Sequence, residues 1–551
     1  MEESAFYKLE GRAKHFFRCV ATLLFMHHSS DSKKWTLRKR VLIILSCMVF
    51  AIAGLWGMYD LYHRLLYESQ GPITWDTTVY LGVGRGILNG LIPYRDLFDI
   101  KPPGIYLLSA ASLWLTGGAA FGSIMEVIAI AGTCVSLVIL RLMWMSHRDI
   151  RNCYVLFTLC LSLLFGIAIA LYAAERSGEF QVESFGAFFL IVYLIVIADL
   201  KNANKWTWIR IAFASLFLLF SIGMKEPFLF VSMGCALLLC ADKPHSFLHA
   251  YVLPLAIAAG TGIFIMVILQ YALPYSSIYL PEMIGKHINT FGSPWLRAFH
   301  LERIFWDLWA YEPALSLTIT FLSLSYLLGV LPHGNRWLFV RRSCAALCAL
   351  YLFGLSVGLG GEYYNHHFVF AVPGFITFFI IFLQDIQRTP KKRLQYILGG
   401  VMAFFLFAVT FTERKIDYIG RLQFIRADST PAREAADQID AILDACHLSR
   451  YLFLGSNGQQ PYAYTVHSPL GPLFLQFDKL LDSDHPQFRQ AFLQSVTQAE
   501  LVVLRDYHIN DLRSTVEQEL QRNFSKVPWP CVPELSETGY VFFFRSQNKP
   551  I

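Results

Sequence analysis

The sequence predicts a polytopic α-helical membrane protein with a C-terminal extracytoplasmic α/β domain. Three observations predict this fold class. Of the 551 residues, 55% are hydrophobic and only 16% are charged, whereas soluble domains are about a quarter charged. Apolar runs of about 20 residues recur, which is the length needed to cross ~30 Å of hydrocarbon. Beyond residue 412 the charges return, and short strand-like runs alternate with helical patterns.

About eleven transmembrane helices are expected within residues 41–412. The predicted spans are 41–62, 121–144, 152–172, 182–199, 206–223, 227–241, 250–271, 313–331, 343–359, 367–384 and 394–412.

Orientation follows from the lysine and arginine bias of the loops. The segment 1–40 ends in the basic stretch SKKWTLRKR and is expected in the cytoplasm. Alternation then places other basic loops, such as QRTPKKR before the last span, on the same side, and this agreement supports the number of spans. The net charge of +6 is explained by these loops, so nucleic-acid binding is not expected.

The first extracytoplasmic loop is predicted at 63–120. It contains PPGIYLLSAASLWLTGG, which is too short and too interrupted for a span, and which we interpret as a surface helix. If this stretch crossed the membrane, every later basic loop would face outward.

The C-terminal part, 413–551, contains three strand-like runs, RYLFLGS, ELVVLRD and GYVFFFRS. The helical patterns PAREAADQIDAILDAC and HPQFRQAFLQSV lie between them, so a small α/β domain is expected. Two cysteines, Cys446 and Cys531, lie here, and they could pair if the region is extracytoplasmic.

Charged residues are concentrated directly after the first span, in residues 75–104. Asp76 lies at a predicted helix start and Gly90 at its end. The glycines between them do not form a GxGxxG fingerprint and follow no strand, so a dinucleotide site is not expected. The orientation places further ionisable residues on the same side of the membrane: Glu126, Glu175, Arg176, Glu179, Glu183, Lys225, Glu226, Glu362, His366 and His367. Because such groups at span ends cost free energy unless paired, hydrated or functional, they indicate a polar cavity.

Three motifs in the first loop carry a family resemblance. Asp76 is followed by Tyr80 in the pattern Asp-x-x-x-Tyr, residues 90–96 read Gly-x-x-Pro-Tyr-x-Asp, and Lys101 begins Lys-Pro-Pro. This arrangement resembles the GT-C superfamily of membrane glycosyltransferases, and is most similar to bacterial relatives of protein O-mannosyltransferases and the lipid A aminoarabinose transferase. The resemblance implies a bacterial inner-membrane enzyme that takes a sugar from a polyprenyl phosphate at the outer membrane face, with inversion.

The resemblance also implies roles for individual residues. Asp76 matches the acidic residue that acts as catalytic base, and Lys101 matches a lysine that holds the donor phosphate. Glu183 matches an acidic residue at the outer end of a later span and is expected to be a second catalytic residue. Relatives often carry a second acidic residue directly after the first, or an arginine nearby. Here Thr77 follows Asp76, so Arg85 or Arg95 is expected to contact the donor phosphate instead.

The chemistry fits these residue types independently of the resemblance. A carboxylate such as Asp76 can take the proton of an acceptor hydroxyl. The departing phosphate needs cations rather than a general acid, and Lys101 and Lys225 are the candidates. The residues Tyr80, Asp96, Tyr364, His366 and His367 are expected to contact sugar or acceptor.

Each role has a structural alternative. Asp76 could only cap its helix, Lys101 could extend to the interface, and Glu183 could pair with Arg176. Tyr364 and the two histidines could belong to an interfacial belt, and Trp309 could either stack on a sugar or belong to that belt. Glu126 is expected to be a buried acid with its hydrogen bonds satisfied.

The expected partners are a polyprenyl-phosphate sugar, a lipid, glycan or protein acceptor, and membrane lipids. No cofactor is expected; a divalent metal ion stays an alternative that no Cys/His spacing indicates. The competing function is a transporter or flippase of a lipid-linked sugar or other amphiphile, although such proteins usually place charges near the bilayer midplane. A ligand-sensing membrane receptor is a third alternative.

Overall fold

A computed structural model describes residues 75–99, 101–144, 153–177, 180–203, 207–288, 292–328, 336–360, 363–388, 418–455, 461–471, 486–505 and 512–546, with isolated positions 48, 55, 59, 398, 401 and 402. The predicted segment 1–40 lies outside the described residues. The predicted spans 41–62 and 394–412 fall on the isolated positions only.

Two helices form the described part of the first loop. Helix α1 is Trp75–Leu88 and helix α2 is Pro103–Thr116. Gly90 has a φ of 82°, a left-handed conformation that ends α1, as its sequence position predicts. Gly84 lies where the two helices cross, because a Cβ there would approach the backbone nitrogen of Ala110 to 2.7 Å.

The apolar runs that follow form a bundle of helices. Its members are α3 (Ala120–Met143), α4 (Cys153–Ser177), α5 (Val182–Ala203), α6 (Trp208–Met224), α7 (Phe228–Cys240), α8 (Leu253–Ile268), α9 (Leu301–Tyr311), α10 (Pro313–Leu328), α11 (Arg336–Gly358) and α12 (Val372–Arg388). Five described helical stretches are long and apolar enough to cross a membrane: Ala120–Met143, Val182–Lys201, Pro244–Ile268, Arg336–Gly358 and Asn365–Ile386.

The span predicted at 343–359 begins earlier than expected. Helix α11 starts at Arg336, so its first two turns include Arg341 and Arg342, which lie before the predicted span. Arg342 is tolerated inside the bundle because its guanidinium is paired with the carboxylates of Asp242 and Asp385.

The segment between α8 and α9 is not a simple loop either. A π-helical stretch, Tyr275–His287, follows a short turn and contains Pro281. A 3₁₀ segment, Asn365–Ala371, leads directly into α12.

The C-terminal part contains a four-stranded sheet in the order β1-β2-β4-β3. The strands are β1 (Tyr451–Gly455), β2 (Leu501–Arg505), β3 (Phe524–Ser525) and β4 (Val541–Arg545), and β1, β2 and β4 lie within the three strand-like runs. Strand β1 pairs parallel to β2, and the other two pairs are antiparallel. The helices are α13 (Tyr418–Cys446), α14 (Pro486–Gln498) and α15 (Arg513–Asn523). Cys446 and Cys531 form a disulfide.

The first loop and the C-terminal part pack on each other. Phe98 contacts Phe488 of α14, with ring centroids 4.6 Å apart. Asn89, after α1, donates hydrogen bonds to the carbonyl oxygen of Val466 at 3.2 Å and the hydroxyl of Ser468 at 2.9 Å. The helix that carries Asp76 is therefore held between the bundle and the C-terminal part.

Candidate active site

Helix α1 places two candidate residues on one face. Asp76 and Tyr80 are four residues apart and therefore lie one turn above each other. The Tyr80 side chain is fully buried. Burial, and then the negative charge of Asp76, raise the pKa of the Tyr80 phenol well above its ordinary value, so it stays protonated.

A turn between α1 and α2 holds Lys101. The Tyr94 hydroxyl donates to the Lys101 carbonyl oxygen at 2.9 Å, and the Lys101 backbone N–H donates to the Tyr106 hydroxyl at 3.1 Å. Tyr106 in turn donates to the Asp99 carboxylate at 2.7 Å. These bonds fix the backbone from which the Lys101 ammonium extends towards Asp76.

A second carboxylate–ammonium pair lies where three helices meet. Glu183 lies in the first turn of α5 and is fully buried, and Lys225 lies in the hairpin between α6 and α7. The Lys225 ammonium donates directly to Glu183 Oε1. Glu183 Oε2 is buried without a hydrogen-bond partner among the described residues. The alternative that Glu183 pairs with Arg176 is wrong, because Arg176 pairs with Asp307 at 3.4 Å.

The two pairs form one electrostatic cluster. Burial raises the pKa of Asp76, but the positive charge of Lys101, with Lys225 and a hydrogen bond from Gln181, outweighs burial and holds that pKa below its ordinary value. Burial lowers the pKa of Lys101, but the carboxylates of Asp76 and Glu183 outweigh it and raise it. Burial lowers the pKa of Lys225 despite Glu183. The described site thus combines an ionised carboxylate with two ammonium groups.

The 3₁₀ segment after α11 brings two histidines to this cluster. His366 Nε2 lies 3.9 Å from Glu183 Oε1, and the Tyr364 ring stacks on His366 with centroids 5.6 Å apart. His367 is buried and Tyr364 is exposed, so the tyrosine lies at the rim of the cluster. The ligand atoms of Glu183, His366 and His367 all lie within 4.8 Å of one another, close enough to hold a metal ion.

Sequence reasoning missed an aromatic wall beside Lys101. Tyr275 and Tyr279 stack with centroids 4.7 Å apart, and Tyr94 lies 5.0 Å from Tyr279. The hydroxyls of Tyr275 and Tyr279 donate to Glu226 Oε1 at 3.2 and 2.7 Å. The signal was the spacing of Tyr275 and Tyr279, which puts both on one side of a helical turn. Gln181 gave no such signal, because a single amide has no pattern.

Three candidates lie away from the cluster. Arg85 is nine residues beyond Asp76, which is half a turn out of phase on a helix of 3.6 residues per turn. Burial lowers the pKa of Arg85, and its nearest charged influence is Asp440 of α13 rather than Asp76. Arg95 is exposed and pairs with Asp96 at 2.7 Å. Asp96 also accepts the Ile92 N–H, so this pair stabilises its own turn.

Glu126 in α3 is a buried acid, as expected. Its carboxylate accepts hydrogen bonds from the backbone N–H groups of Phe180 and Gln181. These bonds hold the segment that leads into α5 and Glu183.

Comparison with known proteins gives structural neighbours only. No protein-family model matches the sequence, and no curated protein matches it. The chain is similar to the archaeal oligosaccharyltransferase AglB from Archaeoglobus fulgidus, in complex with an inhibitory peptide and a dolichol-phosphate, with a TM-score of 0.42 and 12% identity over 92% of this chain and 75% of that one. It is also similar to ArnT from Cupriavidus metallidurans bound to undecaprenyl phosphate, with a TM-score of 0.40 and 12% identity over 90% and 98% of the two chains.

A second structure of the A. fulgidus oligosaccharyltransferase, in complex with Zn and sulfate, has a TM-score of 0.40 and 12% identity over 83% of this chain and 68% of that one. AglB and ArnT are GT-C superfamily membrane glycosyltransferases.

Proposed function

We propose that this protein is a membrane glycosyltransferase that moves a sugar from a polyprenyl-phosphate donor to an acceptor hydroxyl at the outer face of the cytoplasmic membrane. The observation that carries the proposal is the partly buried cluster in which the charges of Lys101 and Lys225 act on the Asp76 carboxylate. One carboxylate and two cations are the groups that this transfer needs.

Asp76 acts as the general base. Its pKa lies below the ordinary value, so the carboxylate is ionised at neutral pH and can accept the proton of the attacking hydroxyl. The hydroxyl oxygen then bonds to the anomeric carbon as the bond from that carbon to the phosphate oxygen breaks. A single carboxylate on the side opposite the leaving group gives inversion.

Lys101 and Lys225 stabilise the departing phosphate. Negative charge grows on the phosphate oxygens as the bond breaks, and fixed cations in a poorly hydrated site stabilise that charge strongly. The Lys101 ammonium is held charged by Asp76 and Glu183. Lys225 is oriented by Glu183, so Glu183 acts as a positioning residue for this cation.

The aromatic wall and the two histidines are the surfaces that sugar and acceptor would contact. Tyr364 and His366 stack on each other at the rim, and flat rings of this kind pack on the apolar faces of sugars. Tyr94 and Tyr279 pack on each other next to the Lys101 backbone, whose carbonyl oxygen accepts from the Tyr94 hydroxyl.

We also propose that the reaction needs no divalent metal ion. Glu183, His366 and His367 have a geometry that fits a metal, but the Lys225 ammonium already occupies Glu183 Oε1. A metal on Glu183 would have to displace that ammonium or approach it closely, and either costs free energy.

The disulfide supports an extracytoplasmic position for the C-terminal part. Disulfides persist in oxidising compartments such as the bacterial periplasm, and Cys446–Cys531 links α13 to the segment before β4. Because the first loop packs on this part through Asn89 and Phe98, the cluster at Asp76 lies on the same side.

The experiment is donor turnover by the purified protein in lipid. Wild type, Asp76→Asn and Glu517→Gln are given a panel of polyprenyl-phosphate sugars. Glu517 is an exposed partner of Arg513 on α15 and serves as the matched carboxylate control. Donor consumption by wild type and the control, with a loss of about 10²-fold or more in Asp76→Asn, supports the proposal. Equal consumption by all three proteins would remove Asp76 from the mechanism. Movement of a lipid-linked sugar across sealed vesicles without bond breakage would favour the transporter.

A further inference from the structure

Helix α9 (Leu301–Tyr311) has an inverted distribution of polarity. Its buried face carries Asp307, whose carboxylate pairs with the buried Arg176 at 3.4 Å and accepts the Tyr172 hydroxyl at 2.9 Å. The neighbouring buried positions, Ile304 and Leu308, complete the face that packs on the bundle. In a helix that faces water, the carboxylate would be expected on the other side.

The outer face of α9 is aromatic. Phe305, Trp306 and Trp309 are 45%, 59% and 44% exposed. Phe305 and Trp309 are one turn apart, and their rings stack with centroids 6.2 Å apart. The turn before the helix adds Trp295 and Phe299, which are also exposed.

This exposed surface continues onto a predicted span. Helix α10 follows α9 directly, and its outer residues Leu317, Leu324 and Leu328 are exposed and apolar. A contiguous apolar surface of this kind marks an interaction site. Next to a span, the available apolar phase is the bilayer, and tryptophan is enriched where the hydrocarbon meets the headgroups.

A cation lies beside the aromatic surface. The exposed Arg303 places its guanidinium 4.3 Å from the centroid of the Tyr363 ring. Arginine pairs readily with phosphate oxygens, and lipid headgroups carry such oxygens. Glu302, the neighbouring exposed acid, is held by His300 at 3.1 Å.

We propose that residues 294–311 form a lipid-binding surface of this protein, seated in the interfacial layer of the outer leaflet. Phe305, Trp306 and Trp309 contact the upper part of the lipid chains, and Arg303 lies at the level of the lipid phosphates. The assignment does not depend on the transferase proposal, since it rests on the exposed surface of residues 294–311 and α10. From its sequence position Trp309 could stack on a sugar or belong to an interfacial belt, and its exposed stack with Phe305 favours the belt.

The lipid-binding surface would also fix the depth of the candidate site relative to the lipid phosphates. Tyr363, under Arg303, is followed by Tyr364, which stacks on His366. His366 in turn lies 3.9 Å from Glu183 Oε1. A lipid phosphate at the level of Arg303 is therefore separated from the cluster by one short chain of side chains.

The test is quenching of tryptophan fluorescence in vesicles. The full-length protein is reconstituted with phospholipids brominated near the headgroup end or near the methyl end of the chain. The contribution of Trp306 is the difference between wild type and Trp306→Phe, and Trp309→Phe gives a second, independent difference. We expect both contributions to lose most of their intensity with the shallow bromine, less with the deep bromine, and little with aqueous iodide.

Trp529 provides the control. It lies in the C-terminal part, where its indole N–H donates to the Arg545 carbonyl oxygen at 3.1 Å, so the Trp529→Phe difference should be insensitive to both brominated lipids. Iodide quenching of Trp306 and Trp309 without bromine quenching would mean that this surface faces water or a protein. Stronger quenching by the deep bromine would place α9 within the hydrocarbon rather than at the interface. Either result would overturn the proposal.

Discussion

The Lys225 ammonium and the Glu183 carboxylate form an ion pair at the meeting point of α5, α6 and α7, with the carboxylate fully buried. The two residues are 42 positions apart in the chain, and their pair joins the start of α5 to the hairpin between α6 and α7. It also couples stability to function, because removing either partner would leave the other without its direct ion-pair contact inside the protein.

The first prediction is a double-mutant cycle on this pair. Glu183→Gln and Lys225→Met should each destabilise the protein by about 3–5 kcal/mol, because each leaves one charge buried and unpaired. The double variant should recover much of that stability while transfer stays lost, since the phosphate cation is gone. Thermal unfolding and donor turnover on the four proteins measure both effects. Additive losses of stability would show that the pair is not coupled.

The second prediction concerns the pH dependence of turnover. A general base works only when deprotonated, and the pKa of Asp76 is held below the ordinary value of about 3.9. The acidic limb should therefore lie below that value. Burial lowers the pKa of Lys225 below the ordinary value of about 10.4, and deprotonation removes the cation, so activity should fall on the basic side before that pH.

The Lys225→Arg variant tests whether the basic limb of the pH profile comes from deprotonation of Lys225 or from a general loss of stability at high pH. Arginine stays charged at all accessible pH values, so the basic limb should move to higher pH even if the maximal rate falls. An unchanged basic limb in Lys225→Arg would assign that limb to another group.

The third prediction concerns metal ions. Because Lys225 occupies Glu183, we expect incubation with a chelator to leave donor turnover within twofold of the untreated enzyme. His366→Ala should then lower affinity for sugar or acceptor without creating a metal requirement. Loss of activity on chelation, with recovery on adding Zn²⁺ or Mn²⁺, would instead assign Glu183, His366 and His367 as metal ligands.

Much of the fold follows from local signals in the sequence. Apolar runs and loop charges predict the bundle helices, and alternating strand-like runs predict β1, β2 and β4. The start of α11 could not be predicted from these signals. Hydropathy treats Arg342 as an unfavourable charge within a span, because it does not include the pairing of Arg342 with Asp242 and Asp385. Such pairing is a long-range property.

The candidate site was predictable only in part. Orientation placed Asp76, Lys101, Glu183 and Lys225 on one side of the membrane, and the structure brings these four together. Arg85 was expected beside them, although its helical phase relative to Asp76 already places it on the opposite face. The hydrogen bond from Gln181 depends on how Glu126 holds the neighbouring backbone, which no local pattern reveals.

The fourth prediction concerns the close contact of α2 with the end of α6. Gly104 has no room for a side chain, because a Cβ would lie 2.4 Å from the Gly223 carbonyl oxygen. Gly104→Ala should force the helices apart, shift Lys101 relative to Lys225, and lower turnover about 10²-fold, since displacements near 1 Å cost that much. Gly118→Ala is the control, because a Cβ there meets nothing within 4 Å. Equal activity in both variants would show that the contact does not position the two lysines.

The fifth prediction concerns the opposite end of the bundle. Arg342 joins α11 to Asp242 after α7 and Asp385 in α12 through four nitrogen–oxygen contacts of 2.6–3.0 Å. Its guanidinium also donates to the Tyr326 carbonyl oxygen of α10 at 2.9 Å. Arg342→Met leaves two largely buried carboxylates without their cation, so the free energy of unfolding should fall by about 3–5 kcal/mol.

The Arg342→Lys variant should not recover the lost stability, because a single ammonium cannot bond both carboxylates in the forked geometry of a guanidinium. Arg210→Met is the matched control: its pair with Asp199 at 3.3 Å involves a half-exposed guanidinium, and exposed pairs contribute about 0–1 kcal/mol. Thermal unfolding in detergent compares Arg342→Met, Arg342→Lys and Arg210→Met with wild type. Since Arg342 lies at the end of the bundle away from Asp76, donor turnover of the still-folded Arg342→Lys protein should stay near that of wild type. A large loss of turnover at unchanged stability would mean that this end of the bundle takes part in the reaction cycle, for example by a movement of α11 against α12.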